Sequence, residues 1–380
     1  DRDLNTDASQ ADGTITVIRV NGVDASSNDD FATWQAVVPL SAGNNSLRVE
    51  TGDMALNSDD NADASSIRFV GTALNRPFGS AIDSSSDRLF VVESPLFGAS
   101  KGIASVDLDT GTRTTLSNAT TPDANHTFGF VGGIDVDTLN NRILAADFQN
   151  DTIYSVNIAT GSREVFSSNS VPNANAPLFD TPTALAVDNV NDRVYVLDRD
   201  QVLELDGSTG ARSLVATLSI NIEAVVIDAA NDRLLVLDSV SDNYQVKTVD
   251  IGAAFGTVAT LSDDTTPNGV NELDDHRGLA LDTANSRLLV TNRGNNTITA
   301  VDLVTGARSI LSNNTTPDAS TPFNDIISIS IDSANNRALV VDNGALAVVA
   351  VDLATGARSK ITDTSVPDSL NTFSSPFDLE

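Results

Sequence analysis

The stretch Leu279-Ala-Leu-Asp282-Thr-Ala-Asn-Ser-Arg287-Leu-Leu-Val-Thr-Asn292-Arg-Gly-Asn-Asn-Thr297-Ile-Thr-Ala-Val-Asp302-Leu-Val-Thr305-Gly306-Ala-Arg308-Ser-Ile-Leu311 holds four short β-branched or leucine-rich runs, each cut off by Asn, Asp or Gly. Such runs read as strands and the polar residues as the turns between them. The chain writes this pattern six times. An Asp, an Arg five residues on, and an acid or Asn ten residues on set the register of the copies. They are Asp83, Arg88, Glu93; Asp137, Arg142, Asp147; Asp188, Arg193, Asp198; Asp228, Arg233, Asp238; Asp282, Arg287, Asn292; and Asp332, Arg337, Asp342.

A single four-stranded sheet cannot bury both its faces, so repeats of this kind stack on one another and close. The reading is therefore all-β, a six-bladed β-propeller over residues 72–380. Successive anchors lie between 40 residues (Asp188 to Asp228) and 54 residues (Asp83 to Asp137) apart. With a blade of roughly 40 residues, every gap but one then carries an insert of about 10 to 14 residues. The inserts contain Thr121-Pro-Asp123, Val171-Pro-Asn173, Thr266-Pro-Asn268, Thr316-Pro-Asp318 and Val366-Pro-Asp368, a stiff turn signal. Only the junction Leu218-Ser-Ile-Asn-Ile-Glu223 lacks one, leaving a notch in the rim. Thr-Gly marks the turn between strands three and four at Gly111, Gly161, Gly210, Gly306 and Gly356, where a tight hairpin demands positive φ. Blade four has Gly252-Ala-Ala-Phe-Gly256 instead and is expected to make a longer hairpin. Closure is expected to be end-to-end, with 67–70 as a possible extra strand at the seam. Ser375-Pro-Phe377, which echoes Arg76-Pro-Phe78, leaves a seventh repeat open.

Composition narrows the function. Aromatics are 5% and apolar residues 40%, the latter in runs such as Val194-Tyr-Val-Leu197, as an all-β chain requires. A net charge of −30, with lysine only at Lys101, Lys247 and Lys360, repels phosphate backbones and anionic headgroups, so nucleic acid is not an expected partner. No apolar run approaches the ~18 residues of a spanning helix, so membrane insertion is not expected. The absence of cysteine excludes disulfides, thiol catalysis and Cys-ligated metals. Acid excess with scarce lysine fits an extracellular or cell-surface protein. The start at Asp1, without Met or leader, reads as a processed form or part of a longer chain.

Residues 1–71 form a separate module with strand-like runs at 14–20, 32–40, 46–50 and 66–70. The layout Val20-Asn-Gly-Val-Asp24, Trp34-Gln-Ala-Val-Val-Pro-Leu40, Gly43-Asn-Asn-Ser-Leu47 and Thr51-Gly-Asp53 resembles the small immunoglobulin-like modules of bacterial secreted proteins. A full sandwich of that type has ~7 strands, so this one reads as partial. Asp53, Asn57, Asp59, Asp60 and Asp63 at the domain junction are either calcium ligands or a solvated acidic loop.

In the repeats, Ala184-Leu-Ala-Val-Asp188-Asn-Val-Asn-Asp-Arg193-Val-Tyr-Val-Leu-Asp198 with Leu205-Asp-Gly207 looks like the YWTD repeat of lipoprotein-receptor propellers. Val290-Thr-Asn-Arg-Gly-Asn-Asn-Thr-Ile-Thr-Ala-Val-Asp302 looks like the YVTN-type repeat of microbial surface-layer proteins, and the whole blade is similar to NHL repeats. The resemblance implies six blades and binding of proteins or glycans without catalysis. The chain departs from the receptor motif in having almost no Trp or Tyr on strand two.

The Asp and Arg of each first turn read as a structural ion pair. Glu93, Asp147, Asp198, Asp238, Asn292 and Asp342 end strand two on one face. Either each caps its own turn, or they point inward as a channel-mouth ring that calcium would neutralise. The inserts share that face, and loops on a rigid scaffold are where a protein or glycan partner, or further copies of this chain, would bind. His126 reads as a surface-loop residue. His276 and Arg277 are the catalytic candidates, a base beside an anion clamp with Tyr244 or Tyr195 as proton donor, as in a secreted carbohydrate-active lyase or hydrolase. A metal-dependent lactonase-like hydrolase would need a cluster such as Glu223, Asn292 and Asp342.

Overall fold

The computed structural model describes residues 77–362 apart from 94–100, 123, 173–176, 220 and 241–242, and before them only the strands Ile15–Val20, Val23–Asp24, Val49–Asp53 and Ser58–Asp59. The chain divides into two compact units, Asp1–Phe69 and Val70–Glu380. In the first, the four strands form one antiparallel sheet in the order Val23–Asp24, Ile15–Val20, Val49–Asp53, Ser58–Asp59. Asp53 and Asp59 end strands of this sheet, while Asn57, Asp60 and Asp63 lie outside the described residues, as do the runs expected at 32–40 and 66–70 and the possible seventh repeat.

The second unit is a six-bladed β-propeller of four-stranded antiparallel sheets. Blade five consists of His276–Asp282, Arg287–Asn292, Thr297–Asp302 and Arg308–Ser312. Its register pairs Asp282 with Arg287 and Asn292 with Thr297, so the sequence anchors bracket strand two. The other five blades repeat this placement of their anchors. Each first strand packs against the first strands of both neighbouring blades, Ile326–Asp332 of blade six against Pro77–Asp83 of blade one included. Among the described residues every sheet is built from its own repeat alone, and blade six packs directly on blade one.

The core lies between blades, one apolar cluster per interface. Successive side chains of a strand point to opposite faces. In Arg88–Glu93, Leu89 and Val91 therefore join blade six beside Leu339 and Val341, while Phe90 and Val92 join blade two beside Ile143 and Ala145. A strand covered on both faces must read as a continuous apolar run, which is what each second strand does. Each such Leu, wholly buried, contributes roughly 1.5–3 kcal/mol.

Two devices tie the blades together. Four of the first-turn pairs are short: Arg142 Nε lies 2.7 Å from Asp137, Arg233 2.8 Å from Asp228, Arg287 2.7 Å from Asp282 and Arg337 2.7 Å from Asp332. Three of these guanidiniums reach into the next blade, Arg142 Nη2 to the Gly207 carbonyl, Arg233 Nη2 to the Leu303 carbonyl at 2.8 Å and Arg287 Nη2 to that of Leu353 at 2.5 Å. Arg193 departs from the pattern and meets Glu204 at 3.3 Å, leaving Asp188 to Asn191. The second device is the hairpin glycine. Gly306 has φ +71°, and a Cβ there would sit 1.9 Å from the Leu261 carbonyl oxygen of the preceding blade. Positive φ and backbone contact both demand Gly.

Candidate functional site: the insert-bearing face and the channel mouth

Each insert leaves strand four and returns to strand one of the next blade, so antiparallel order sets it at the same end as the strand-two to strand-three turns. Two residues after each hairpin glycine stands an arginine: Arg113, Arg163, Arg212, Arg308 and Arg358. All five are buried. Arg308 donates from Nε to the carbonyls of Val270 (3.0 Å) and Asn271 (2.8 Å). Its Nη1 meets Ser262 Oγ (2.8 Å) and the Asp263 carbonyl (2.5 Å), and its Nη2 meets the Asn268 carbonyl (2.6 Å). Arg163, Arg212 and Arg358 grip the preceding inserts in the same way, at Asn125, Pro177 and Thr321. The insert is thus wound around a guanidinium whose fan of donors satisfies carbonyls that a loop would otherwise leave open. Burial pushes the pKa of Arg308 below its ordinary value, and the nearby Asp264 and Asp263 oppose that shift. Blade four has Val258 at this position, and the junction before it is the one without an insert. Arginine and loop occur together.

The strand-end residues are placed one by one, each within its own blade. Asp147 accepts from the backbone N–H of Gly129 (2.6 Å), Phe130 (3.1 Å), Gln149 (3.2 Å) and Asn150 (3.1 Å). Asp342 accepts from Asn324, Asp325 and Ala345, and Asp198 from Asp180. Asp238 accepts from the Ser219 hydroxyl, and Asn292 bonds the Asp274 N–H and Thr299 Oγ1. Glu93 is buried at the same register. Asp147, Asp198, Asp238, Asn292 and Asp342 each hold the loop leading into their own first strand, and among the described residues no three His, Asp or Glu side chains converge to hold a metal ion. The carboxylates of Asp147, Asp198 and Asp342 thus accept from backbone N–H groups, and that of Asp238 from a hydroxyl. Asp198 is pushed up to about 6, chiefly by burial, with Asp180, Asp151 and Asp200 adding like charge.

In blades two, five and six the residue one position further along lines the axial cavity. Phe148, Arg293 and Asn343, which follow Asp147, Asn292 and Asp342, line a cavity of about 380 Å³ walled by first strands of all six blades. Their backbone N–H groups bond the carbonyls of Phe130, Asp275 and Asp325, each at 2.9 Å, which sets those three residues beside them. A ladder of ion pairs runs around the blade four to six side of the mouth. Arg277 meets Glu223 at 3.2 Å and Asp275 at 2.7 Å. Arg293 meets Asp275 at 3.7 Å and Asp325 at 2.6 Å, and Asn343 Nδ2 donates to Asp325 at 2.8 Å. On the blade-two side Phe148 stacks on Phe130, centroids 5.6 Å apart, and Lys101 Nζ sits 3.5 Å over the Phe130 ring. Deeper in the first strand of blade two, Asp135 accepts from Val136 and Val187 N–H (2.8 Å each) and is pushed up to about 6 by burial.

No protein-family model matches the chain, and no curated protein sequence does. Among solved structures it is similar to a chain of a nidogen/laminin complex, at 15% identity and TM-score 0.52, covering 72% of this chain and 89% of that one. It is also similar to a gluconolactonase of Xanthomonas campestris (14%, TM-score 0.51, covering 71% and 84%) and to the hydrazine synthase of Kuenenia stuttgartiensis (12%, TM-score 0.52, covering 76% and 99%). These likenesses show the fold alone.

His276 is not at the mouth. It is wholly buried, its Nε2 3.1 Å from the Asp238 carbonyl and its Nδ1 3.3 Å from Glu223, with Tyr244 edge-on at 5.0 Å. A base needs access to substrate, and in this structure both ring nitrogens of His276 face protein partners. Tyr195 is buried in the core between blades three and four. Arg277 does reach the cavity, as does Glu223, but Asn292 and Asp342 do not line it, so the lactonase-like triad does not assemble. His126, expected on the surface, is exposed with φ +49° and its Nδ1 3.1 Å from the Arg163 carbonyl. Phe148, Arg293 and Asn343 carry no repeated residue type that would single them out in the sequence, although each directly follows a strand-two anchor. Among the described residues no helix is long and apolar enough to cross a membrane.

Proposed function

We propose that the propeller is a non-catalytic binding domain of a secreted or cell-surface protein, which engages a protein or glycan with its insert-bearing face. The observation that carries this reading is the arginine at the centre of each described insert. A loop held by several charge-assisted bonds is ordered before any partner arrives, so binding costs less ordering entropy. The charged groups of the channel mouth are also paired with one another, an arrangement suited to recognition. A similar propeller in a nidogen/laminin complex agrees with a protein partner.

The test uses the full chain against a displayed-peptide library and a printed glycan array. Binders should be lost when the exposed insert tips carry Ala124→Lys, Val270→Lys and Ala319→Lys. They should survive Val304→Lys, which lies on an outer hairpin at the opposite end of the blade. Binders that ignore the three tips and depend on Val304, or metal-dependent ester turnover, would defeat the proposal.

A further inference from the structure

We infer that the channel mouth is a subsite for one neutral sugar residue, an inference that rests on the reading of this face as a binding surface and names the chemistry it takes. Four observations converge on one cavity. Its volume, about 380 Å³, lies at the small end of the ~300–1,000 Å³ of small-molecule sites. Phe148 lines it from blade two and stacks on Phe130. An aromatic face is electronegative and suits the weakly positive C–H face of a pyranose.

Across the ring, blades four to six present Glu223, Arg277, Arg293, Asp325 and Asn343, planar polar groups that together offer acceptors and donors. Vicinal hydroxyls, each donor and acceptor at once, match such a ladder, whereas a purely apolar ligand does not. Finally, Thr183 Oγ1 and Asn343 Oδ1, buried in the walls of blades three and six, have no hydrogen-bond partner among the described residues. The two blades face each other across the six-bladed ring, so these atoms belong to opposite walls of the cavity. Leaving such atoms unmatched is costly, and a ligand hydroxyl removes the cost.

Charge decides between a neutral sugar and a uronate. Each guanidinium already meets carboxylates, and Glu223, Asp275 and Asp325 outnumber Arg277 and Arg293. The whole chain carries −30, so an added carboxylate meets repulsion.

The experiment is saturation-transfer NMR and calorimetry of the full chain with the methyl glycosides of glucose, mannose and galactose, and with glucuronate. At least one neutral glycoside should bind, more tightly than glucuronate. Phe148→Ala and Thr183→Val should each weaken it by at least about fivefold. Both substitutions leave the core clusters intact, and melting curves verify folding; should Phe148→Ala unfold, Thr183→Val decides. No neutral glycoside bound, glucuronate preferred, or affinity unchanged in the folded variants overturns the inference. If sugars fail while insert-dependent binders persist, only the subsite is lost. If sugars bind but insert tips are irrelevant, the broader reading fails and the subsite stands.

Discussion

Arg308 Nη2 lies 2.6 Å from the carbonyl oxygen of Asn268, a residue forty positions earlier in the connection from blade four. The bond joins one repeat's outer strand to the loop of the repeat before it. Replacing Arg308 by Met keeps the apolar stem and removes every donor, so the carbonyls of Asp263, Asn268, Val270 and Asn271 lose their partner. A loss of about 2–4 kcal/mol is expected, read from urea denaturation. Hydrogen exchange should rise in residues 263–271 and nowhere comparable in blade two. An insert that keeps its protection in Arg308→Met would mean the guanidinium does not organise it.

Gly306 supplies a second expectation. Its φ of +71° and the 1.9 Å separation between an added Cβ and the Leu261 carbonyl oxygen leave no room for a side chain. Gly306→Ala should therefore cost at least ~1–3 kcal/mol. Gly269→Ala, where the nearest atom to an added Cβ is 3.2 Å away, serves as the mild control. Equal melting temperatures for the two variants would refute the interlock between outer hairpin and neighbouring strand.

Closure of the ring is tested at the seam. Leu89 of blade one and Leu339 of blade six share one cluster and are wholly buried. Truncation of either to Ala should cost about 2–5 kcal/mol, and the double variant should depart from additivity by more than ~0.5 kcal/mol. Strict additivity would argue against a shared seam, since distant independent sites add.

The pH dependence follows from Asp135 and Asp198, both raised from 3.8 to about 6 in the folded chain. A raised carboxylate pKa means the folded state holds the proton more tightly than the unfolded one. Stability from these groups is fully present below about pH 4 and is lost as the pH rises through about 6. Asp135→Asn should flatten the stability profile between pH 4 and 7. A profile with unchanged slope there would show that the carboxyl does not titrate as placed.

The amino-acid sequence by itself determined the repeat, the four strands of each blade and the positions of the turns. All of these are local: β-branched runs, Asn, Asp and Gly at turns, and an apolar run where both faces of a strand are covered. Calcium at a ring of strand-end acids and catalysis at His276 were expectations of a different kind, because they depended on where a side chain points. A strand turns its side chain over at every residue, so Asp147 is drawn into its own blade's loop while Phe148 next to it faces the axis. Likewise Arg308 is legible as a repeated residue, yet its partners belong to another repeat and come within reach only when the blades stack. The tertiary structure decided which member of each neighbouring pair meets the channel, for the physical reason that packing between repeats, and not propensity within one, selects the face.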